Sequence, residues 1–180
     1  MPRRLTASLA AAAILLAACG PSNAESERSD NAASTPPAAH GQTARVPTQL
    51  QFSAKTLDGQ PFSGESLSGR PSVLWFWAPW CPRCQRDAPT VAQVAAANAA
   101  VTFVGVAARA QLSDMRSFVD TYRLGGITQL DDTDGTIWAR FGVTHQPAYA
   151  FVDSKGSVDV VKDSMPESQL TERVRALAAR

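Results

Sequence analysis

The chain has 180 residues, of which 44% are hydrophobic and 18% are charged. This length and apolar content are sufficient for one globular domain with accessory segments. The formal net charge of +1 argues against nucleic acid or an acidic surface as a partner.

The N-terminus has the pattern of an exported lipoprotein. Two arginines near the start are followed by an apolar run from Leu9 to Ala18. This run is too short to span a bilayer comfortably, so we interpret residues 1–18 as a signal peptide that is cleaved after export. Leu16-Ala17-Ala18-Cys19 resembles the lipobox of bacterial lipoproteins, and the resemblance implies that Cys19 is acylated. A simple secretory signal followed by an incidental cysteine is the alternative.

Residues 19–47 are rich in Ser, Ala, Asn and Pro and contain almost no large apolar side chain. Such a segment cannot bury enough apolar surface to fold, so it predicts a flexible tether that begins at the lipidated Cys19. The folded domain is then expected at residues 48–180. A twin-arginine signal at Arg3-Arg4 is a further possibility, although the flanking residues match that signal poorly.

The domain is predicted to open with a β-hairpin. Gln51–Thr56 alternates like a strand, and a Leu-Asp-Gly-Gln turn leads to a second extended piece at Pro61-Phe62. Ser72–Trp77 is a continuous apolar run, which predicts a buried central strand. A helix is expected from Pro82 to Ala97, with Pro89 as a kink.

The second half alternates strands and helices. Val101–Ala107 predicts a buried strand, and Leu112–Tyr122 predicts an amphipathic helix. A short helix at Asp134–Phe141 precedes a hairpin made of Ala148–Asp153 and Val158–Lys162. A last helix is expected at Gln169–Ala179, so the class is α/β, with a mixed central sheet flanked by helices on both faces.

Cys81 and Cys84 are the only thiols that remain for the folded domain once Cys19 carries the lipid. Their spacing places both sulfurs on one helical turn, and Cys81 lies at the helix N-terminus, where the dipole and free N–H groups favour thiolate over thiol. The pattern therefore predicts a reactive dithiol. A structural disulfide is the alternative. A purely structural bridge would have little use for the apolar rim that we expect from Trp77, Pro79 and Trp80.

Metal and haem sites are disfavoured at this dithiol. The other plausible zinc ligands are His40, in the tether, and His145. Haem attachment is excluded because Gln85, not histidine, follows Cys84. We expect no cofactor and no metal.

The predicted elements follow a familiar order over about Leu50–Arg180: a β-hairpin, a strand that ends in Trp-Cys-x-x-Cys, a kinked helix, a strand, a helix, and a terminal hairpin entered through a proline. This order resembles the thioredoxin fold with an N-terminal β-hairpin extension, and residues 57–59 and 76–81 resemble its extracytoplasmic branch related to TlpA and DsbE. Four segments carry a stronger likeness: Trp80-Cys81-Pro82-x-Cys84-Gln85, Phe103-Val104-Gly105-Val106-Ala107 with Arg109, Asp134-Gly135-x-Ile137-Trp138-Ala139-Arg140, and Gln146-Pro147-Ala148. They resemble actinobacterial secreted DsbE and its lipoprotein relative DsbF.

The resemblance implies a role for each residue of the dithiol motif. Cys81 is expected to be the exposed nucleophile, and Cys84 the more buried resolving thiol. Pro82 suits the first helical turn, and Arg83 would place a positive charge beside the thiolate, so both are assigned to redox tuning together with Trp80. A solvated charge on an exposed turn is the alternative interpretation of Arg83.

The resemblance also implies a substrate-binding loop. Pro147 is expected to be a cis-proline that faces the dithiol, and Gln146 to offer its backbone to an extended substrate. His145 would either assist proton transfer or be a bystander.

One departure from the family concerns acidic groups. Thioredoxin carries a buried Asp at the position of Trp75, and reductases of the DsbE type carry an acidic group near the site. The sequence shows no obvious counterpart here, since Asp87 is expected to face solvent. This favours oxidation over reduction.

The resemblance and the lipobox together imply an extracytoplasmic, lipid-anchored thiol:disulfide oxidoreductase, and the expected direction is the oxidation of exported proteins. A monomer is expected because no exposed apolar helix stands out in the sequence. The expected partners are exported proteins with cysteines, the membrane that holds the lipid, and a quinone-linked membrane reoxidase. A reductase for apocytochrome c or damaged disulfides is the alternative. A copper-binding module is a third, but known copper proteins on this fold have three residues between their cysteines.

Overall fold

The structure is a computed structural model, and it describes residues 46–180 of the chain. The predicted signal peptide (1–18), Cys19 and most of the predicted tether (19–47), with His40, lie outside the described residues. None of the helices in the described part has the length and apolar character needed to cross a membrane.

The described residues form seven strands, four α-helices and two short 3₁₀ helices. The strands are β1 (Ser53–Thr56), β2 (Pro61–Ser63), β3 (Ser72–Trp77), β4 (Thr102–Ala107), β5 (Thr128–Asp131), β6 (Ala148–Val152) and β7 (Val158–Val161). The α-helices are α1 (Pro82–Ala97), α2 (Leu112–Thr121), α3 (Thr136–Arg140) and α4 (Glu167–Ala178). The 3₁₀ helices are Thr48–Leu50 and Gly64–Leu67.

All seven strands form one mixed sheet in the order β2-β1-β5-β4-β3-β6-β7. The central strands β3, β4 and β5 run parallel, and the remaining neighbours are antiparallel. The N-terminal hairpin of β1 and β2 extends one edge, and the hairpin of β6 and β7 forms the other. The predicted mixed sheet and both hairpins are confirmed.

The core has two layers because β3 is covered on both faces. Trp75 and Trp77 point into the layer beneath α1, α2 and α4, whereas Leu74 and Phe76 point into the layer that contains α3. Successive side chains of a strand point to opposite faces of the sheet, so a strand that is buried on both faces has a continuous apolar sequence. The prediction of helices on both faces is confirmed.

β3 and α1 have the bounds predicted for them. The prediction for the first strand was too long, because the 3₁₀ helix at Thr48–Leu50 occupies the chain just before it and β1 starts at Ser53. Strand β5 was missed. It has only four residues, and its pairing with β1 and β4 decides its conformation more than its own sequence does.

Candidate active site

Cys81 is the N-cap residue of α1, directly after the loop that leaves β3. Its backbone is extended, and its Sγ accepts a hydrogen bond from the backbone N–H of Cys84 at 3.2 Å. Pro82 occupies the first turn, where its missing N–H costs nothing. The sulfur therefore occupies the position that a serine or aspartate oxygen has in an ordinary N-cap. At this position a thiolate is a better hydrogen-bond acceptor than a neutral thiol.

Both cysteines are buried free thiols. The prediction of an exposed Cys81 was wrong, because the residue is only 4% exposed. Its side chain turns back to cap its own helix, which places it in the core layer beneath α1. Cys84 is fully buried, as predicted.

The Cys84 sulfur is in an environment that opposes its ionisation. Burial raises the pKa of the Cys84 thiol far above its ordinary value, and its hydrogen bond to Cys81 raises that pKa further. The charge of Asp87 acts in the same direction. Cys84 is therefore protonated at neutral pH, which leaves Cys81 as the sulfur that can act as a nucleophile.

Asp87 does not face solvent, so the prediction for this residue was wrong. Its carboxylate is half-buried and accepts a hydrogen bond from the hydroxyl of Tyr149 on β6 at 3.0 Å. Burial raises the pKa of Asp87, and this effect exceeds the lowering by hydrogen bonds from Tyr149 and Ser164. The signal in the sequence was the helical spacing, since a residue three positions after the buried Cys84 lies on the same side of the helix.

Arg83 is directed at the loop before α4. Its guanidinium forms a salt bridge with Asp163, and its Nε donates a hydrogen bond to Ser164 Oγ at 3.3 Å. The side chain is 43% exposed, so the strength of this ion pair is screened by solvent. The charge is thus shared with a carboxylate, and redox tuning by Arg83 stays a prediction.

The tryptophans beside the dithiol have different positions. Trp80 is exposed over 55% of its surface, and its indole N–H donates to the carbonyl of Arg109 at 2.9 Å. Trp77 was wrongly placed in the rim, because it is the last residue of β3 and is fully buried. Its indole N–H donates to Gln129 Oε1 at 3.1 Å.

The loop before β6 contains the expected cis-proline. The peptide bond between Gln146 and Pro147 is cis, which confirms that prediction. The antiparallel register pairs Phe76 with Ala148, so Pro147 lies beside the end of β3 from which the chain continues to the dithiol. Substrate binding by Gln146 and Pro147 stays a prediction.

His145 is held by two contacts in its own loop region. Its Nδ1 lies 3.2 Å from Thr144 Oγ1, and its Nε2 lies 3.0 Å from the carbonyl oxygen of Lys162. Both ring nitrogens are thereby engaged, which favours the bystander interpretation over proton transfer. No group of three His, Cys, Asp or Glu in residues 46–180 is arranged to hold a metal ion.

Arg109 connects three segments around the dithiol, a function that sequence reasoning missed. Its carbonyl accepts the N–H of Trp80, and its Nη2 donates to the carbonyl of Thr144 at 3.1 Å. Its guanidinium also lies 5.0 Å from the ring centre of Trp138. The residue has a left-handed backbone conformation, φ 60°, which bulky side chains seldom adopt.

The geometry fits one kind of chemistry. Two thiols lie within one helical turn, one of them caps the helix and the other is protonated, so the pair can open and close a disulfide with an external thiol. Such a dithiol, at the start of the first helix of a seven-stranded mixed sheet, defines a thiol:disulfide oxidoreductase of the thioredoxin-like class.

Comparisons with known proteins identify the family. The chain belongs to the AhpC/TSA family, whose model matches residues 46–161. The chain is 52% identical over 134 residues to the soluble secreted antigen MPT53 of Mycobacterium tuberculosis, a match that covers 73% of this chain and 77% of that protein.

Solved structures agree with this assignment. The structure of MTB DsbF, described in mixed oxidized and reduced forms, has a TM-score of 0.72 and 64% identity, and the match covers 73% of this chain and 98% of that one. A secreted Mycobacterium tuberculosis disulfide oxidoreductase homologous to E. coli DsbE has a TM-score of 0.69 and 52% identity, covering 72% and 98%. The predicted thioredoxin-like fold and the resemblance to the DsbE/DsbF group are confirmed.

Proposed function

We propose that the protein is a thiol oxidase that forms disulfides in exported proteins by exchange at Cys81 and Cys84. The observation that carries the direction is the cap at Cys81, whose Sγ accepts the first-turn N–H of Cys84 at 3.2 Å. This hydrogen bond and the positive end of the helix dipole stabilise a thiolate, and a thiolate exists only in the reduced form. Stabilising the reduced form makes the disulfide a stronger oxidant.

The oxidation would proceed in two exchanges. A substrate thiolate attacks Cys81 Sγ of the disulfide, and Cys84 leaves as a thiolate that takes up a proton. A second substrate thiolate then attacks the substrate sulfur of the mixed disulfide, and Cys81 leaves as a thiolate. The substrate loses two electrons to form its disulfide, and the protein gains them as a dithiol. Attack falls on Cys81 because Cys84 is fully buried.

The surroundings of Cys81 suit an extended substrate. The exposed indole of Trp80 offers apolar surface next to Cys81 in the chain, and the backbone of Gln146 at the cis-proline is proposed to offer polar groups to the same substrate. Arg109 would hold these two segments together, since it is bonded to Trp80 and Thr144. No cofactor is needed, because the two sulfurs carry the electrons.

The location is proposed to be extracytoplasmic. The relative MPT53 is described as a secreted antigen, and residues 1–18 have the pattern of a signal peptide. We propose that Cys19 carries the lipid, that residues 19–47 form the tether and that residues 48–180 act as a monomeric domain at the membrane. A quinone-linked membrane partner would reoxidise the dithiol.

The lipid anchor has a direct test. Mature protein extracted from membranes is expected to begin at Cys19 and to carry the added mass of acyl chains. The variant Cys19→Ala is expected to move from the membrane fraction to the medium or soluble fraction, while its disulfide exchange rate stays unchanged. A mature wild-type mass without acyl chains would contradict the proposal.

Reduction is the second candidate, and the position of Asp87 favours it. Its charge raises the pKa of the Cys84 thiol, so it opposes thiolate formation in the reduced pair. Destabilising the reduced form makes the pair a stronger reductant, which is opposite to the effect of the cap at Cys81.

The midpoint potential distinguishes the two directions. In a glutathione titration we expect a value above that of thioredoxin, about −270 mV, and closer to that of protein disulfide isomerase, about −180 mV. The variant Cys84→Ser serves as a control, because it has no dithiol to titrate. A potential at or below the thioredoxin value would exclude the oxidase and support the reductase.

A further inference from the structure

Disulfide exchange requires a group that accepts the proton of the Cys84 thiol and later returns it. The thiol is fully buried and its pKa is raised, so it can neither lose nor gain a proton from bulk water easily. Yet it must release the proton whenever it attacks Cys81, and must regain one whenever it leaves. A nearby group with a suitable proton affinity is required.

Asp87 is placed to be that group. It lies three residues after Cys84 in α1, so the two side chains are neighbours on one side of the helix. Its charge raises the pKa of both Cys84 and Tyr149. The hydroxyl of Tyr149 donates to Asp87 Oδ2 at 3.0 Å, which fixes the carboxylate at the boundary between α1 and β6. Tyr149 belongs to the same buried layer as Cys84.

The other groups that face Asp87 cannot accept the proton. Arg83 and Arg86 on α1 carry guanidinium groups, which have no acceptor atom. Tyr149 from β6 and Ser164 from the loop before α4 act as hydrogen-bond donors to the carboxylate. Burial raises the pKa of the Tyr149 hydroxyl far above its ordinary value, so this hydroxyl stays protonated.

We propose that Asp87 accepts the proton of Cys84 when this thiol attacks and returns it when Cys84 leaves, with Tyr149 as a positioning residue. In the attack, the S–H bond of Cys84 breaks and its proton moves through one bridging water to a carboxylate oxygen of Asp87. The Cys84 sulfur then bonds to Cys81 Sγ, and the substrate leaves Cys81 as a thiolate. Oxidation of a substrate uses the reverse transfer. The inference rests on the proposed roles of Cys81 and Cys84, but it holds for either direction of electron flow.

A two-phase reaction separates the two sulfurs. Reduced protein mixed with 5,5′-dithiobis(2-nitrobenzoate) releases one thionitrobenzoate when Cys81 attacks, and a second when Cys84 attacks the mixed disulfide. For Asp87→Asn we expect the second phase to slow at least about tenfold, since positioned acids and bases contribute about 10²–10⁴-fold. The first phase should change less than about twofold. Asp58→Asn, an exposed change of the same kind in the β1–β2 turn, should alter neither phase.

The sign of the effect distinguishes proton transfer from simple electrostatics. The charge of Asp87 raises the pKa of Cys84, so its removal alone would make Cys84 easier to ionise and would accelerate the second phase. A second phase that is unchanged or faster in Asp87→Asn overturns the inference. A missing first phase in the wild type would instead overturn the proposed nucleophile.

The pH profile gives an independent measurement, and Tyr149→Phe gives a second variant. The rate of the second phase should rise as Asp87 ionises, at a pH above the ordinary range of an aspartate because burial raises the pKa of Asp87. The hydrogen bond from Tyr149 lowers the pKa of Asp87, so its loss in Tyr149→Phe should raise that pKa and move this rise to higher pH. Asp87→Asn should lack the rise. An unmoved profile in a folded Tyr149→Phe would remove Tyr149 from the inference, and an unmoved profile in Asp87→Asn would overturn it.

Discussion

Replacing Cys81 by serine will reduce catalysed disulfide exchange to the uncatalysed background, a loss on the order of a thousandfold or more. Cys81 is the sulfur that can form a thiolate next to the helix N-terminus, whereas Cys84 is buried and protonated. The fold should survive, because a serine oxygen is a favourable N-cap and can accept the N–H of Cys84 in place of the sulfur. Oxidative refolding of a reduced test protein measures the rate, and the thermal unfolding midpoint checks the fold.

Cys84→Ser is the matched variant, and it should behave differently. The first attack on a disulfide reagent remains possible, so a mixed disulfide on Cys81 should accumulate and be visible as an added mass. If Cys81→Ser still catalysed refolding, or if the adduct formed on Cys84 in the Cys81 variant, the assignment of nucleophile and resolving thiol would be wrong.

The parts of the fold that could be predicted are those with strong local signals. The buried run Ser72–Trp77 and the proline at the first turn of α1 specify the strand and the helix that place the dithiol. The position of Cys81 at the helix N-terminus followed from the same signals, because this residue lies between an apolar strand and the proline that begins the helix. The burial of Cys81 could not be predicted from these signals, because it depends on the direction that its side chain takes at the helix N-terminus.

The parts that were missed depend on residues far apart in the chain. The helical spacing indicates which side of α1 carries Asp87, but its hydrogen-bond partner Tyr149 lies on β6, far away in the chain. Arg109 is held in position by hydrogen bonds with Trp80 and Thr144, which lie in two other loops. Strand β5 forms by pairing with β1 and β4. A single sequence without an alignment contains no signal for such pairs.

These long-range contacts also connect the site to the core. Gln129 on β5 accepts the N–H of Trp77 at the end of β3, close to where the loop to Cys81 begins. Trp77 in turn stacks on Phe118 of α2, with ring centroids 4.3 Å apart. A change in this buried pair should therefore affect the strand that holds the dithiol.

Gly105 in β4 is the position where this packing tolerates no side chain. A Cβ there would overlap Oε1 of Gln129 and would lie 2.9 Å from Nε1 of Trp77. Gly105→Ala must therefore break the hydrogen bond between these two side chains or displace a central strand. Displacing the strand by overpacking costs about 1–3 kcal/mol, and each buried polar group left without a partner costs about 1–3 kcal/mol. The protein adopts the less costly of the two responses, so we expect a loss of about 1–3 kcal/mol in the free energy of unfolding.

Urea denaturation measures this loss as a lower midpoint with an unchanged slope. Gly126→Ala is the matched control, because a Cβ at that position meets no atom within 4 Å, and its effect should stay within about 0.5 kcal/mol. Gln129→Ala removes the side-chain atoms that a Cβ on residue 105 would overlap. Gly105→Ala should therefore cost at least about 1 kcal/mol less in the Gln129→Ala background than in the wild type, which a double-mutant cycle resolves. Equal costs in both backgrounds would show that Trp77, and not Gln129, excludes the side chain.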